Sequence, residues 1–203
     1  MGKEVEGALR IGKERHQGKI LLETSEILLR GKSYRLKITF AEIKEVKVTG
    51  GDLKIVTTDG DRIFEVGDHA EKWREKILRP KSRAEKLGVK SGTSVRLAGN
   101  FEPDFLKELK SSKAEVLGNG TSGPAQLTLA EVNDAGTLSS FGKLGKKLKA
   151  AEVLWAVYPK GKKEITENDV IGAGRKAGLK DVKVVGFSPT HTALKFVLPL
   201  DKR

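Results

Sequence analysis

Cysteine is absent from the 203 residues, which excludes disulfides, cysteine-ligated zinc, iron–sulfur clusters and thiol catalysis. Aromatics make up only 5% of the chain. Basic clusters therefore lack the interleaved stacking rings that single-stranded nucleic acid uses, and no RNP-like or zinc-finger signature supports sequence-specific binding. No apolar run approaches the roughly 20 residues that cross a bilayer as a helix, so no transmembrane segment is predicted. The start, Met1-Gly2-Lys3-Glu4-Val5-Glu6, lacks the apolar core of a secretory signal, and Glu6 stands where a myristoylation signal has Ser or Thr. A cytoplasmic location is the expectation. The three histidines, His16, His69 and His191, are far apart and have no second ligand at i+4, so no metal site is expected.

Positive charge is plentiful. The net charge is +12, and it is uneven: residues 1–80 carry 17 Lys/Arg against 14 Asp/Glu, residues 81–203 carry 22 against 13. A lysine-rich face serves solubility and also attracts polyanions.

The first 66 residues alternate with period 2. Tyr34, Leu36, Ile38 and Phe40 fall on one side and Arg35, Lys37 and Thr39 on the other, the pattern of a half-buried strand. Gly50-Gly51 and Asp59-Gly60-Asp61 separate further strands as hairpin turns. One helix follows, with Asp68 and Glu71 as a capping-box-like start and Ala70, Trp73, Ile77 and Leu78 as its apolar stripe. About seven strands and one helix resemble a pleckstrin-homology or GRAM-like barrel over residues 5–79. That resemblance implies a helix plugging one barrel end, and Lys13, Arg15, Lys19, Lys32, Arg35 and Lys37 could line the other. Solvated strand faces are the alternative for those six.

Pro80-Lys81-Ser82-Arg83 breaks the pattern. The expected division is a first domain over 1–79, a linker over 80–92 and a second domain over 93–203. In the second, strand and helix signals alternate: strand 94–99, helix 103–110, strands 114–118 and 127–132, helix 137–149, strand 153–158, helix 167–177, strands 181–187 and 192–198. Such alternation predicts a mostly parallel Rossmann-like sheet with covering helices. The last two strands are joined by Ser188-Pro189-Thr190-His191, too short for a parallel crossover, so they form an antiparallel hairpin.

Leu87-Gly88-Val89-Lys90-Ser91-Gly92, Leu154-Trp155-Ala156-Val157-Tyr158-Pro159-Lys160 and Ile165-Thr166-Glu167-Asn168-Asp169-Val170 resemble an uncharacterised bacterial domain family with a methyltransferase-like core. Ser122-Gly123-Pro124-Ala125 and Ala193-Leu194-Lys195-Phe196-Val197 belong to the same likeness, which spans residues 85–200 in patches. It implies the fold and no catalytic residues. The hairpin departs from the tryptophan-containing turn expected in that family.

Motifs that imitate cofactor sites fail on context. Gly172-x-Gly174-x-x-x-Gly178 follows the helix-start signal Thr166-Glu167-Asn168-Asp169 and not a strand. Gly174 instead shares a helix face with Val170 and Ile171, where it lets the helix lie close to a sheet, and Gly178 ends that helix. The segment from Gly136 to Leu144 has one residue too many between its glycines for a P-loop, and Leu144 replaces the magnesium-binding hydroxyl. Leu138, Phe141, Leu144 and Leu148 make it an amphipathic helix, with Lys143, Lys146 and Lys147 opposite. Gly120-Thr121-Ser122-Gly123 is a turn and not a nucleophile elbow. Glu164, Glu167 and Asp169 crowd a helix start, where capping suits them better than acid–base work.

The loop after the first strand of the second domain reads Ala98-Gly99-Asn100-Phe101-Glu102-Pro103. A cofactor turn there is rich in glycine; this one holds a single glycine, a bulky ring and a carboxylate. Ligands of open α/β sheets sit outside the C-terminal strand ends, which predicts one cleft lined by Asn100, Phe101, Glu102, Ser122, Tyr158 and Lys160. Asn100 and Lys160 are its expected polar contacts.

Taken together, two scaffolds without a complete catalytic constellation predict a non-catalytic interaction protein: a barrel that binds a partner peptide or surface, a protein partner being possible, joined to a cofactor-free Rossmann-like domain. One alternative is a divergent S-adenosylmethionine-dependent methyltransferase. Another is non-specific nucleic-acid binding through Lys143, Lys146, Lys147, Lys160, Lys162 and Lys163.

Overall fold

The computed structural model describes residues 3–118 and 123–202. The chain divides into two compact units, Met1–Lys81 and Ser82–Arg203.

The first unit contains strands β1 (Lys3–Ile11), β2 (Glu14–Leu22), β3 (Glu26–Arg30), β4 (Arg35–Thr39), β5 (Ile43–Thr49), β6 (Asp52–Thr57) and β7 (Gly60–Glu65), then helix α1 (Ala70–Leu78). All seven strands join one antiparallel sheet in the order β4-β3-β2-β1-β7-β6-β5. The expected closed barrel is thereby corrected to an open, curled half-barrel. Its two edges, β4 and β5, are consecutive in the chain but are linked by a single 3-10 turn, Phe40–Glu42, and no ladder between them is present among the described residues. The Thr39 backbone N–H donates to the Glu42 carboxylate at 2.6 Å, so a local cap satisfies the chain where a barrel would have a strand pair.

Alternating strand residues Leu9, Ile20, Ile27, Leu29, Ile55 and Phe64 form the core, and α1 covers it with Ala70, Trp73 and Ile77. Leu78, expected on the same stripe, is 54% exposed. The capping start expected from Asp68 and Glu71 is absent too: His69 is the N-cap, without a side-chain cap bond. Of the six basic residues placed at a barrel end, Arg15 pairs with Glu65 at 2.6 Å, Lys19 with Glu4 at 2.7 Å and Lys37 with Glu26 at 3.9 Å. That internal neutralisation suits a solvated strand face better than a phosphate site.

The second unit runs α2 (Arg83–Leu87), β8 (Ser94–Ala98), α3 (Pro103–Ser111), β9 (Glu115–Leu117), β10 (Leu127–Glu131), α4 (Ala135–Lys146), β11 (Val153–Pro159), α5 (Glu167–Lys176), β12 (Lys180–Gly186) and β13 (His191–Val197). Helix α2 thus falls inside the segment expected to be a linker, started by a Ser82/Glu85 capping box and ended by Gly88. The sheet order is β12-β13-β11-β10-β8-β9. Neighbours β9, β8, β10 and β11 are parallel, while β13 is antiparallel to both β11 and β12. The expected Rossmann-like sheet ending in an antiparallel hairpin is accordingly corrected to a mixed sheet with few helices, in which that hairpin is present as β12–β13. β13 enters the sheet between two strands that a repeated βαβ winding would leave adjacent.

Strand β11 explains why the sheet is buried on both faces. Trp155 and Val157 point into a core with Phe105, Leu109 and Leu129, whereas Leu154, Ala156 and Tyr158 point into another with Phe141, Val170 and Phe196. An uninterrupted apolar run is what a central parallel strand requires. Helix α3, only nine residues long, is too short to persist on propensity alone. Burial of Phe105 and Leu109, worth ~1.5–3 kcal/mol each, holds it. No helix among the described residues is long and apolar enough to cross a membrane.

Candidate functional site

Strands β8 and β10 are adjacent and parallel, and the chain leaves them in opposite directions: β8 goes through α3 to β9, β10 through α4 to β11. The two helices pack on opposite faces, α3 with Phe105 and Leu109, α4 with Phe141. The C-terminal ends of β8 and β10 therefore form a topological switch point, where an open α/β sheet leaves a crevice.

Glu131, the last residue of β10, occupies it. Its carboxylate accepts the Asn100 backbone N–H at 2.8 Å and the Asn133 side-chain amide at 2.8 Å. Gly99 makes this approach feasible: its φ is +126°, and a Cβ placed there would lie 2.5 Å from the Glu131 Cβ, a contact no larger residue could keep. On the far side of β10, Asp134 caps α4, its carboxylate accepting the Thr137 N–H at 2.8 Å. Hydrogen bonds from the Thr137 backbone and hydroxyl hold the Asp134 carboxyl below its ordinary range.

The registers Ala98↔Ala130 and Ala130↔Ala156 put Asn100 and Lys160 beyond the same end of the sheet, with β10 between them. The expected cleft residues that are described otherwise have partners of their own. Phe101 packs on one face, its ring 5.8 Å from Phe105 and 6.2 Å from Phe187. Glu102 pairs with Arg83 at 2.8 Å. Tyr158 turns to the other face, is 3% exposed, and donates its hydroxyl to Glu167 at 2.8 Å. Burial first, then the Glu167 carboxylate, pushes the Tyr158 phenol well above its ordinary value, so it stays neutral and is no base near neutrality. Lys160 clamps the β12–β13 turn, its ammonium donating to the Ser188 carbonyl at 2.8 Å. Ser122 lies outside the described residues.

Glu131 and Asn133 were not among the residues singled out from sequence. The available signal was a carboxylate ending a buried run, Leu127-Thr128-Leu129-Ala130-Glu131, three residues before a helix cap. Among the described residues, no group of three or more His, Asp or Glu is placed to hold a metal ion.

No family model matches the chain, and no curated protein matches it. Solved structures similar to it in fold include S-adenosylmethionine-dependent methyltransferases and proteins in complex with S-adenosylmethionine. A TehB-like S-adenosylmethionine-dependent methyltransferase from Corynebacterium glutamicum is 9% identical, covers 65% of this chain and 97% of its own, and has a TM-score of 0.38. A point mutant of MtNAS in complex with S-adenosylmethionine is 11% identical, with 65% and 68% covered and a TM-score of 0.37. The mitomycin 7-O-methyltransferase MmcR is 10% identical, with 64% and 57% covered and a TM-score of 0.35. The expectation of a non-catalytic interaction protein with a cofactor-free domain stands against these structures, whose descriptions name methyltransferases or bound S-adenosylmethionine.

Proposed function

We propose that residues 82–203 form a divergent S-adenosylmethionine-dependent methyltransferase domain, with the cofactor at the C-terminal ends of β8 and β10 beside Glu131. The observation that carries this reading is the kind of group at the switch point. A nucleotide site presents free backbone N–H groups to phosphate; here the Asn100 N–H is already taken by a carboxylate. A pyrophosphate would meet like charge at close range, whereas S-adenosylmethionine has no phosphate and carries an ammonium, a sulfonium and a ribose diol. Ionised Glu131 has about four acceptor sites, and Asn100 and Asn133 use two of them. The remainder suit an ammonium or a diol.

Bound there, the cofactor supplies an electrophilic methyl group. The residues of this chain orient it: Asn100 and Asn133 fix the Glu131 carboxylate, and Gly99 keeps the backbone close. Arg83, Tyr158 and Lys160 have structural partners, so we assign them to support of the surrounding loops. The same reading sets the protein in the cytoplasm, in keeping with a chain that has no cysteine.

Calorimetry and thermal shift with S-adenosylmethionine, using NAD and ATP as phosphate-bearing comparators, test it. The full chain is expected to bind S-adenosylmethionine alone and to gain ~2.7 kcal/mol of stability at a hundredfold excess over Kd. Glu131→Gln should weaken binding about tenfold, the loss of roughly one charge-assisted contact. Neither heat nor stabilisation at saturating S-adenosylmethionine, or preferential binding of NAD, overturns the proposal.

A further inference from the structure

Helices α4 and α5 follow the parallel strands β10 and β11 and lie side by side, so they run in the same direction. Between them is an open groove of about 660 Å³. Its walls are small residues, among them Ser139, Gly142, Gly172 and Ala173, and Lys143, Lys146 and Lys176 ring the end nearer the helix C-termini. All three lysines are exposed and none is in an ion pair among the described residues. Arg175 beside them is engaged with Asp181 at 3.7 Å. The helix C-termini contribute about half a negative charge each, leaving roughly two net positive charges at that end. Asp169, the carboxylate in the groove, lies at the other end and is bonded to the Thr166 hydroxyl at 2.6 Å.

We propose that this groove binds the phosphodiester backbone of nucleic acid without reading its sequence, independently of the function assigned to the strand ends. The argument is charge complementarity combined with what the walls omit. Docked peptides derive most of their affinity from aromatic or large apolar anchors seated in pockets. Here Leu138 is the one large apolar side chain on the groove, and it already packs against the core beneath. Attraction without anchors suits a phosphate backbone, where neutralised charge supplies the affinity and small residues permit close approach. The structure also alters the set read from sequence: only Lys143 and Lys146 of it line the groove and Lys176 joins them, while Lys147, Lys162 and Lys163 are not on its walls and the Lys160 ammonium is bonded to the Ser188 carbonyl.

The test is fluorescence anisotropy of the full chain with a labelled duplex DNA of mixed sequence, titrated across salt concentrations. Lys143→Gln/Lys146→Gln/Lys176→Gln is compared with Lys44→Gln/Lys72→Gln/Lys76→Gln, which removes the same charge from exposed positions of the first unit. The groove variant should lose about tenfold or more in affinity at low salt, and its log–log salt slope should shrink by about 2 to 3, near 0.9 per lost phosphate contact. The control should bind like wild type. Equal losses in both variants, or no binding by the wild type at low salt, overturn the proposal. So does tighter binding of a polyglutamate peptide than of the duplex, which would make the groove a peptide site.

Discussion

Substituting alanine for glycine at two positions of α5 should have opposite effects, and the pair tests the packing of the second unit. A Cβ on Gly174 would lie 2.6 Å from Cδ1 and 2.9 Å from Cζ of Phe196, and closer still to Cε1. Phe196 cannot yield cheaply. It is fully buried and its ring meets Phe141, also fully buried, edge-on at 5.2 Å. Alanine gains about 1 kcal/mol of helix propensity over glycine, but overpacking a closed core costs about 1–3 kcal/mol. Since the clash involves an aromatic ring with no free direction, the upper part of that range applies and Gly174→Ala should destabilise by about 1–2 kcal/mol. Gly172, on the same helix, has nothing within 4 Å of its hypothetical Cβ. Gly172→Ala should keep its propensity gain and stabilise by about 0.5–1 kcal/mol.

The chain provides its own reporter, because its two tryptophans divide between the units: Trp73 in the first, Trp155 in the second. Trp73 has a buried indole N–H without a hydrogen-bond partner, so a Trp73→Phe background removes its signal without breaking a bond. Urea titrations followed by Trp155 fluorescence then read the second unit. A Gly174→Ala variant as stable as its parent, or both alanines shifting the midpoint in the same direction, would refute the close approach of α5 to β13.

Three further outcomes are expected. Arg83 joins α2 to α3 through Glu108 and Glu102, each at 2.8 Å, while its guanidinium lies 5.3 Å and 5.4 Å from the Phe105 and Phe187 ring centroids. Arg83→Met should cost about 2 kcal/mol, and Arg83→Lys should recover only part of it because a lysine lacks the planar fork; a lysine variant matching wild type in the same titration would discredit that geometry. Asp134 and Asp169 are held below the ordinary 3.8 by bonds from Thr137 and Thr166, so the stability they confer is complete above that value and lost as pH falls below it. A double Asp→Asn variant should therefore show a flatter acid limb of stability, and an unchanged limb counts against the caps. Tyr158 is shifted upward from 10.0, chiefly by burial, so its contribution is full below that pH and is lost above it; Tyr158→Phe should flatten the alkaline limb of the same curve.

Elements in which one local pattern governs were legible from the chain alone. Alternation over Tyr34 to Phe40 put Ile38 inward, as it is, and Thr166 with Asp169 announced the start of α5. The four-residue stretch Ser188-Pro189-Thr190-His191 announced an antiparallel hairpin. Misreadings came where a local signal had a non-local competitor. Asp68 and Glu71 have the spacing of a cap, yet a 3-10 turn over Gly67–His69 delivers the chain to α1 in another way. Barrel closure depends on whether β4 and β5 meet across the sheet, and strand periodicity carries no information about an edge.

The candidate site was harder to see because its central contact is not local. Glu131 lies 31 residues from Asn100, and what joins them is the adjacency of β8 and β10, a property of strand order. Periodicity assigned each strand a face but could not say which strands were neighbours, so the sequence reading looked for glycine-rich turns and found one glycine. The structure shows why one suffices. Gly99 alone must tolerate both a positive φ and the Glu131 side chain against it, because the Asn100 N–H is bonded to a carboxylate of its own sheet and is not open to a phosphate. On the proposed reading the missing glycines argue against a phosphate-bearing cofactor rather than against every cofactor, because a carboxylate at a switch point attracts a positively charged group.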